Sequence, residues 1–393
     1  MNRPNILLIS RNFPPLLGGM ERLNQHLLLE LHRTYDVHLV GPEGAADYVP
    51  HPEWVSACPA APIHRFLTTA MLSAAKVARR IQPHLIIAGS GVNAVPAWVA
   101  ARASGAPWMV YLHGLDISFD HWAYRRVFLP IIRRANGWIV NSHATATLAY
   151  QAGLAEERVH ILHPGVAVPS QLPSAEEIAT WCQKFGLGNR PIMLSVGRLT
   201  KRKGLREFVL KAMPAILHAV PETLLVVIGE EPKSALAALG GLRELHEAID
   251  QTHCGEHVKF LGEFPLRPDG MVDRNLSLAY SAASVLVFPV LDIPSDVEGF
   301  GMVAIEAAAH GLPTVAFAVG GVPDAVSSEH SGELRSPGDY LGLANAIVGY
   351  LQSGRNPRQS ESCQNFAKQF SWDQFGIKLR QICANPYPGT YVS

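Results

Sequence analysis

The sequence predicts an α/β protein made of two doubly wound domains that face each other across a cleft. Three observations lead there. The chain has 393 residues, a length that suits two cores of ordinary size better than one. Short apolar runs alternate with helix-period segments from the first residues onward, and that alternation restarts near the middle of the chain. Strand, helix, strand in this rhythm implies parallel sheets joined by right-handed crossovers.

In the first half the apolar runs Asn5 to Ser10, Val37 to Val40, Leu85 to Ala88, Trp108 to His113 and Trp138 to Val140 are expected as buried strands. In the second half Ile192 to Val196, Leu224 to Ile228, Val258 to Leu261, Val285 to Pro289 and Thr314 to Phe317 follow suit. Between them lie Pro164, Gly165, Pro169, Pro173, Gly186 and Gly188, the punctuation of an interdomain connection. The expected division is a first Rossmann-like domain at 1–170, a linker at 171–190, a second Rossmann-like domain at 191–369, and a closing helix and tail at 370–393. In open α/β sheets ligands sit beyond the carboxyl ends of the strands, so each domain would present one to the shared cleft.

Composition excludes several classes. At 48% hydrophobic and 17% charged, the chain should fold throughout. Cys58, Cys182, Cys254, Cys363 and Cys383 are scattered with no C-x-x-C pair, so neither a zinc site nor a disulfide framework is indicated and a reducing cytoplasm fits. The first apolar run meets Arg11 too soon for a signal peptide. No run reaches the roughly 18 apolar residues needed to span a bilayer. Formal charge balances, far from a nucleic-acid footprint. The expected location is cytoplasmic, with any membrane contact peripheral and on the inner face.

The densest chemistry lies in FPVLDIPSDVEGFGMVAIEAAAHGLPTV. A strand ends at Pro289, a loop follows, and a helix is expected to start at about Phe300 or Gly301. The N–H groups of Phe300, Gly301, Met302 and Val303 then face out at a helix N-terminus, a ready anion site. Gly299 and Gly301 allow a phosphate to approach the backbone. Glu306 stands one turn in, alone among apolar neighbours, where a carboxylate needs partners. It is read as accepting the vicinal hydroxyls of a ribose, with Glu298 in the loop reaching a sugar. SVGRLTKRKGL at 195–205 supplies cations: Gly197 and Arg198 at a strand end, then Lys203, a set suited to a diphosphate. Lys201, Arg202 and Arg206 are expected to face water.

These segments, with KFLGEF at 259–264 and GGVPDAV after the helix, resemble the donor domain of the retaining GT-B glycosyltransferases of family 4. The front half agrees in NFPPLLGGMER at 12–22, HGLD at 113–116, VNSHATATLA at 140–149 and VHILHPGV at 159–166. FSWDQFGIKL at 370–379 is similar to the terminal helix that crosses back to the N-domain in that family. DVEGFG is particularly similar to the bacterial phosphatidylinositol mannosyltransferases.

The resemblance implies an acceptor-side first domain and a nucleotide-sugar second domain. Arg198 and Lys203 would bind the diphosphate, and Glu298 with the backbone of Phe300 to Met302 would bind sugar and phosphate. Glu306 would hold the ribose, and the base would lie against Leu261, Gly262 and Glu263. Gly18 and Gly19 would approach from across the cleft. His113 would orient the transferred sugar and stabilise developing positive charge, with Asp116 positioning His113 or the acceptor. The implied reaction moves a hexose with retention, mannose from GDP-mannose in the first instance, to a lipid-linked, glycan or small-molecule hydroxyl. No D-x-D motif stands near the donor segment, so no metal or other cofactor is expected. A UDP-sugar donor, a sugar-nucleotide epimerase of the same architecture and a non-catalytic nucleotide-sugar-binding protein remain open beside this reading.

HWAYRRVFLPIIRRANGW at 121–138 sets Arg126 and Arg133 on one face of a helix, with Phe128, Ile131 and Ile132 turned elsewhere. Two readings stand: a surface that rests on an anionic membrane, or a packed helix with a solvated basic side, bent at Pro130.

Overall fold

The computed structural model describes residues 3–231, 241–264, 272–293 and 296–385. Two wholly parallel sheets organise them. The first contains β1 (Asn5–Ile9), β2 (Asp36–Pro42), β3 (Val55–Cys58), β4 (Leu85–Ala88), β5 (Trp108–Leu112), β6 (Gly137–Val140) and β7 (Val159–Ile161), in the order β3-β2-β1-β4-β5-β6-β7. The second contains β8 (Ile192–Val196), β9 (Leu224–Ile228), β10 (Val258–Phe260), β11 (Val285–Phe288), β12 (Thr314–Phe317) and β13 (Gly332–Arg335), in the order β10-β9-β8-β11-β12-β13. In each sheet the order reverses beside the first strand of its domain, the switch point at which such sheets bind ligands. The two Rossmann-like domains of the predicted class are therefore present.

The central strands Leu85–Ala88, Val285–Phe288 and Thr314–Phe317 are buried along their whole length, as helices on both faces of a parallel sheet require. Three strands lie outside the expected set, and each is at a sheet edge. β7 is partly exposed throughout, and β13 is buried at its first residue alone. β3 is buried at its last residue alone. Edge strands of this kind lack the continuous apolar run that marks their central neighbours.

The helix Trp372–Ala384 leaves the second domain and packs on α1 (Gly19–His32) of the first. Trp372 stacks on His26 with ring centroids 3.7 Å apart, and Arg380 donates to the Glu30 carboxylate at 3.1 Å. Val166 and Ser371 form a parallel bridge beside it. The tail from 386 onward lies outside the described residues. Among the described residues, no helix is long and apolar enough to cross a membrane.

Candidate active site between the domains

The carboxyl ends of the two sheets converge on one cleft. In the second domain, β8 hands the chain to Gly197, which has a φ of 136°. The N–H of Gly229, just past β9, donates to the Gly262 carbonyl at 2.7 Å, and a Cβ on Gly229 would run into the Gly197 carbonyl. Gly197, Gly229 and Gly262 thus form a continuous backbone floor, bounded by half-buried Leu261 and exposed Glu263.

After β11 the chain returns through the Glu298 loop, which leans on the next glycine pair: the Gly321 N–H donates to the Glu298 carbonyl at 2.9 Å. The helix itself runs Met302–Ala309, with Gly301 as its cap at φ 98°. It starts one or two residues later than the sequence suggests, because Gly301 takes a left-handed cap conformation that L-residues avoid. The first-turn N–H groups at Met302 and Val303 have no acceptor within their own helix and leave the positive end of its dipole for an anion.

Glu298 is buried and lies between two cations. Lys203 Nζ donates to Oε2 at 2.8 Å, and the Arg202 guanidinium donates to the same oxygen. Burial pushes its pKa up, but Lys203 and Arg202 overcome this and hold it down to about 2. Burial lowers the Lys203 pKa against the pull of Glu298, and the nearby Arg202 and Arg198 charges add to the lowering. Lys203 also sits 4.7 Å from the Phe288 ring centroid. Arg202 corrects the expectation that it faces water. Its side chain is mostly buried, within 3.1 Å of Asp296. Arg198, by contrast, is exposed and makes no ion pair among the described residues.

Glu306 does have the partners a buried carboxylate demands. The Tyr280 hydroxyl donates to Oε2 at 2.9 Å, and Arg22 of the first domain donates to Oε1. Arg22, Tyr280 and Arg202 are the residues that sequence reasoning missed.

In the first domain, His113 follows β5 and is buried. Its Nε2 lies 2.9 Å from the Gly89 carbonyl, an acceptor only, so Nε2 carries a proton. Its Nδ1 is buried with no hydrogen-bond partner among the described residues, which leaves it available to a ligand hydroxyl. Asp116 accepts the His113 backbone N–H at 2.9 Å, so it fixes the strand end rather than the ring. Burial raises the Asp116 pKa, with His113 and the backbone N–H groups of His113 and Gly91 opposing.

The two halves touch at several points. Gly19 faces Met302, since a Cβ on it would lie 3.4 Å from Sδ. Gly18, with a φ of 152°, caps α1 beside it. A Cβ on Gly299 would lie 2.5 Å from the His113 carbonyl and 2.6 Å from Asn141 Nδ2. His163 stacks on Phe300 at 5.4 Å. The structure therefore brings Glu298, Lys203, the Met302–Ala309 helix, Glu306, Gly19 and His113 together, with Arg198 at the rim.

Residues 190–353 match the family model described as glycosyl transferases group 1, and residues 17–168 match that of Glycosyltransferase Family 4. The chain belongs to glycosyltransferase family 4. It is 26% identical over 392 residues to a GDP-mannose-dependent alpha-(1-6)-phosphatidylinositol monomannoside mannosyltransferase of Mycolicibacterium smegmatis, covering 95% of this chain and 96% of that protein. It is 32% identical over 253 residues to a D-inositol 3-phosphate glycosyltransferase of Mycobacterium marinum, covering 62% of this chain and 48% of that one. Among solved structures, Anabaena HepE in complex with UDP and glucose aligns with a TM-score of 0.78 at 21% identity, covering 97% of this chain and 100% of that one. Sucrose-phosphate synthase of Thermosynechococcus elongatus aligns at 0.77, also at 21%, covering 99% and 100%. These structural likenesses concern the fold, which is GT-B.

In this glycosyltransferase one grouping among the described residues has spacing compatible with a metal ion: His143, His163 and Asp324. The Asp324 carboxylate already accepts the His143 N–H at 2.7 Å, at the start of the helix His143–Gln151. The cluster also joins the two domains, since His143 Nδ1 lies 3.0 Å from the Asp324 carboxylate.

The enzyme's Glu306 helix rests on a second titratable group. His310 Nδ1 meets the Glu306 carbonyl at 2.8 Å, and Nε2 meets the Ser277 hydroxyl at 3.0 Å. Burial, aided by Arg355, lowers its pKa from 6.5 to about 4. The unfolded chain thus binds this proton first, so its contribution is complete above pH 6.5 and is lost as pH falls towards 4. The expected loss is about 3 kcal/mol, read as a fall in the denaturant midpoint that His310→Gln abolishes. Glu298, with its pKa depressed from 4.5 to about 2, extends the acid loss below pH 4.5.

Proposed function

We propose that this enzyme transfers a hexose, mannose from GDP-mannose in the first instance, to a lipid-linked, glycan or small-molecule hydroxyl, with retention and without a metal. The observation that carries the reading is Glu298, held between Lys203 and Arg202 beside a helix N-terminus and across the cleft from His113. The 26% identity to a GDP-mannose-dependent enzyme over 95% of the chain supports the choice of donor.

In the proposed reaction the diphosphate lies on the first-turn N–H groups of the Met302–Ala309 helix and on Lys203 and Arg198. The bond from the anomeric carbon to phosphate oxygen breaks, and the acceptor oxygen bonds to the same face of that carbon. The acceptor proton passes to the leaving phosphate oxygen, so no separate base is required. Fixed donors and cations supply the stabilisation a metal would otherwise give. Glu298 orients the sugar, the His113 Nδ1 lone pair accepts one of its hydroxyls, and the ribose hydroxyls take Glu306. Incubation with GDP-mannose, UDP-glucose and candidate acceptors tests this. Product formed only with acceptor, carrying the donor's anomeric configuration, is expected. Inverted product, or epimerised donor without acceptor, contradicts it.

A lipid-linked acceptor is favoured by the surface next to His113. Trp122 is 73% exposed and Val127 50%, with Phe119 and Leu115 exposed beside them, and Arg125 and Arg126 project from the same stretch. Apolar side chains with basic neighbours suit the inner face of an anionic membrane. Flotation with anionic vesicles at low salt, weakened in Trp122→Ala, is the expected result. No flotation removes the membrane contact.

A further inference from the structure

Arg22 has no place in the chemistry above, yet it reaches across the cleft to a residue that does. It stands in the first turn of α1, after Gly18, Gly19, Met20 and Glu21, and its guanidinium donates to Glu306 Oε1. Both partners are buried, at 9% and 2% exposure, and Arg22 Nε has no hydrogen-bond partner among the described residues. Burial lowers the Arg22 pKa, so the cation depends on a neighbouring anion. On the opposite oxygen, Tyr280 donates to Oε2 and stacks on His310 at 5.1 Å, which makes Oε1 the exchangeable side.

We propose that Arg22 is a donor-binding residue that changes partner: it clasps Glu306 across the cleft, and moves to the donor's diphosphate when the ribose hydroxyls take Glu306. The inference rests on the reading of Glu306 as the ribose contact. A ribose is uncharged, so hydroxyls that displace the guanidinium from Oε1 leave a buried cation without a counter-charge, a severe penalty. The anion a nucleotide sugar brings is its diphosphate. The path is short, because the start of α1 abuts the helix end on which the diphosphate would lie, with Gly19 facing Met302. A guanidinium fork with a spare donor suits two phosphate oxygens. Arg22 thereby couples recognition of the nucleoside to recognition of the phosphates.

The test is calorimetric titration of the full chain and of Arg22→Gln with guanosine, uridine and their diphosphates. For the preferred base, Arg22→Gln should bind the bare nucleoside about threefold more tightly, since Glu306 is released. It should bind the diphosphate at least about tenfold more weakly. Arg22→Lys, which keeps the charge and loses the fork, should recover part of the diphosphate affinity and serves if the Gln variant fails to fold. A loss of both affinities together, or no change in either, overturns the proposal, because a structural role cannot shift the two in opposite directions. A separate arm isolates the underlying reading: 2′,3′-dideoxy diphosphate bound by the unmodified enzyme as tightly as the ribo form would remove Glu306 from the ribose, whatever Arg22 does.

Discussion

Replacing Glu298 with Ala should lower turnover by at least about tenfold, equal to 1.4 kcal/mol of barrier, and should destabilise the fold as well. Two separate effects meet in this residue. Its carboxylate is the anion between Arg202 and Lys203, and deleting it leaves Lys203 buried without a counter-charge and Arg202 with Asp296 alone. Removing one member of a buried ionic group costs about 3 to 5 kcal/mol. The catalytic effect is separable through Glu298→Gln, which keeps the shape and a hydrogen-bonding oxygen but loses the charge. The Gln variant should recover part of the stability while turnover stays low at saturating donor. Wild-type turnover in both variants would exclude Glu298 from the reaction, and melting temperatures measured in parallel separate the two effects.

Gly299→Ala should also lower turnover strongly, for a different reason. A methyl group at that position meets the His113 carbonyl and Asn141 Nδ2 across the cleft, so the second domain cannot close on the first without displacing the end of β5. Nucleotide binding engages the second domain and, through Arg22, the first, so it should weaken by no more than the share that Arg22 supplies. Transfer needs both domains in register, and a misplacement of about 1 Å can cost about a hundredfold. The expected signature is an affinity for GDP or UDP reduced by no more than about tenfold, with turnover reduced by about a hundredfold. Equal losses in affinity and turnover would mean that the substitution disturbs the donor loop itself.

The central strands were legible because a strand covered on both faces has to be apolar at nearly every position, as in Leu85–Ala88 and Val285–Phe288. The segment from Glu298 to Glu306 stood out because its features are local: glycines, a helix start and one charge in an apolar helix fall within a few residues. The missed strands Val55–Cys58, Val159–Ile161 and Gly332–Arg335 lie at sheet edges where side chains reach solvent, and the apolar signal fades with that exposure. Arg202 was misjudged because LTKRKG offers three adjacent cations, and only the short turn Lys201–Lys203 decides which of them points inward. Arg22 was unreadable as a partner of Glu306 for a more general reason. The two are 284 positions apart and belong to different domains, so no local pattern in either half announces their contact.

The proposed reaction requires that the stretch from Glu298 to Glu306 grip a nucleotide. The most direct measurement is the thermal stability of the enzyme and of its Glu306→Ala variant across a titration of GDP, UDP and their sugar derivatives. Binding to the native state alone raises stability as RT ln(1 + [L]/Kd), about 2.7 kcal/mol at a hundredfold excess over Kd. Saturable stabilisation of the wild type by at least one nucleoside diphosphate, lost or strongly weakened in Glu306→Ala, is the predicted result. Stabilisation by no nucleotide, or by one to the same extent in both proteins, would contradict it.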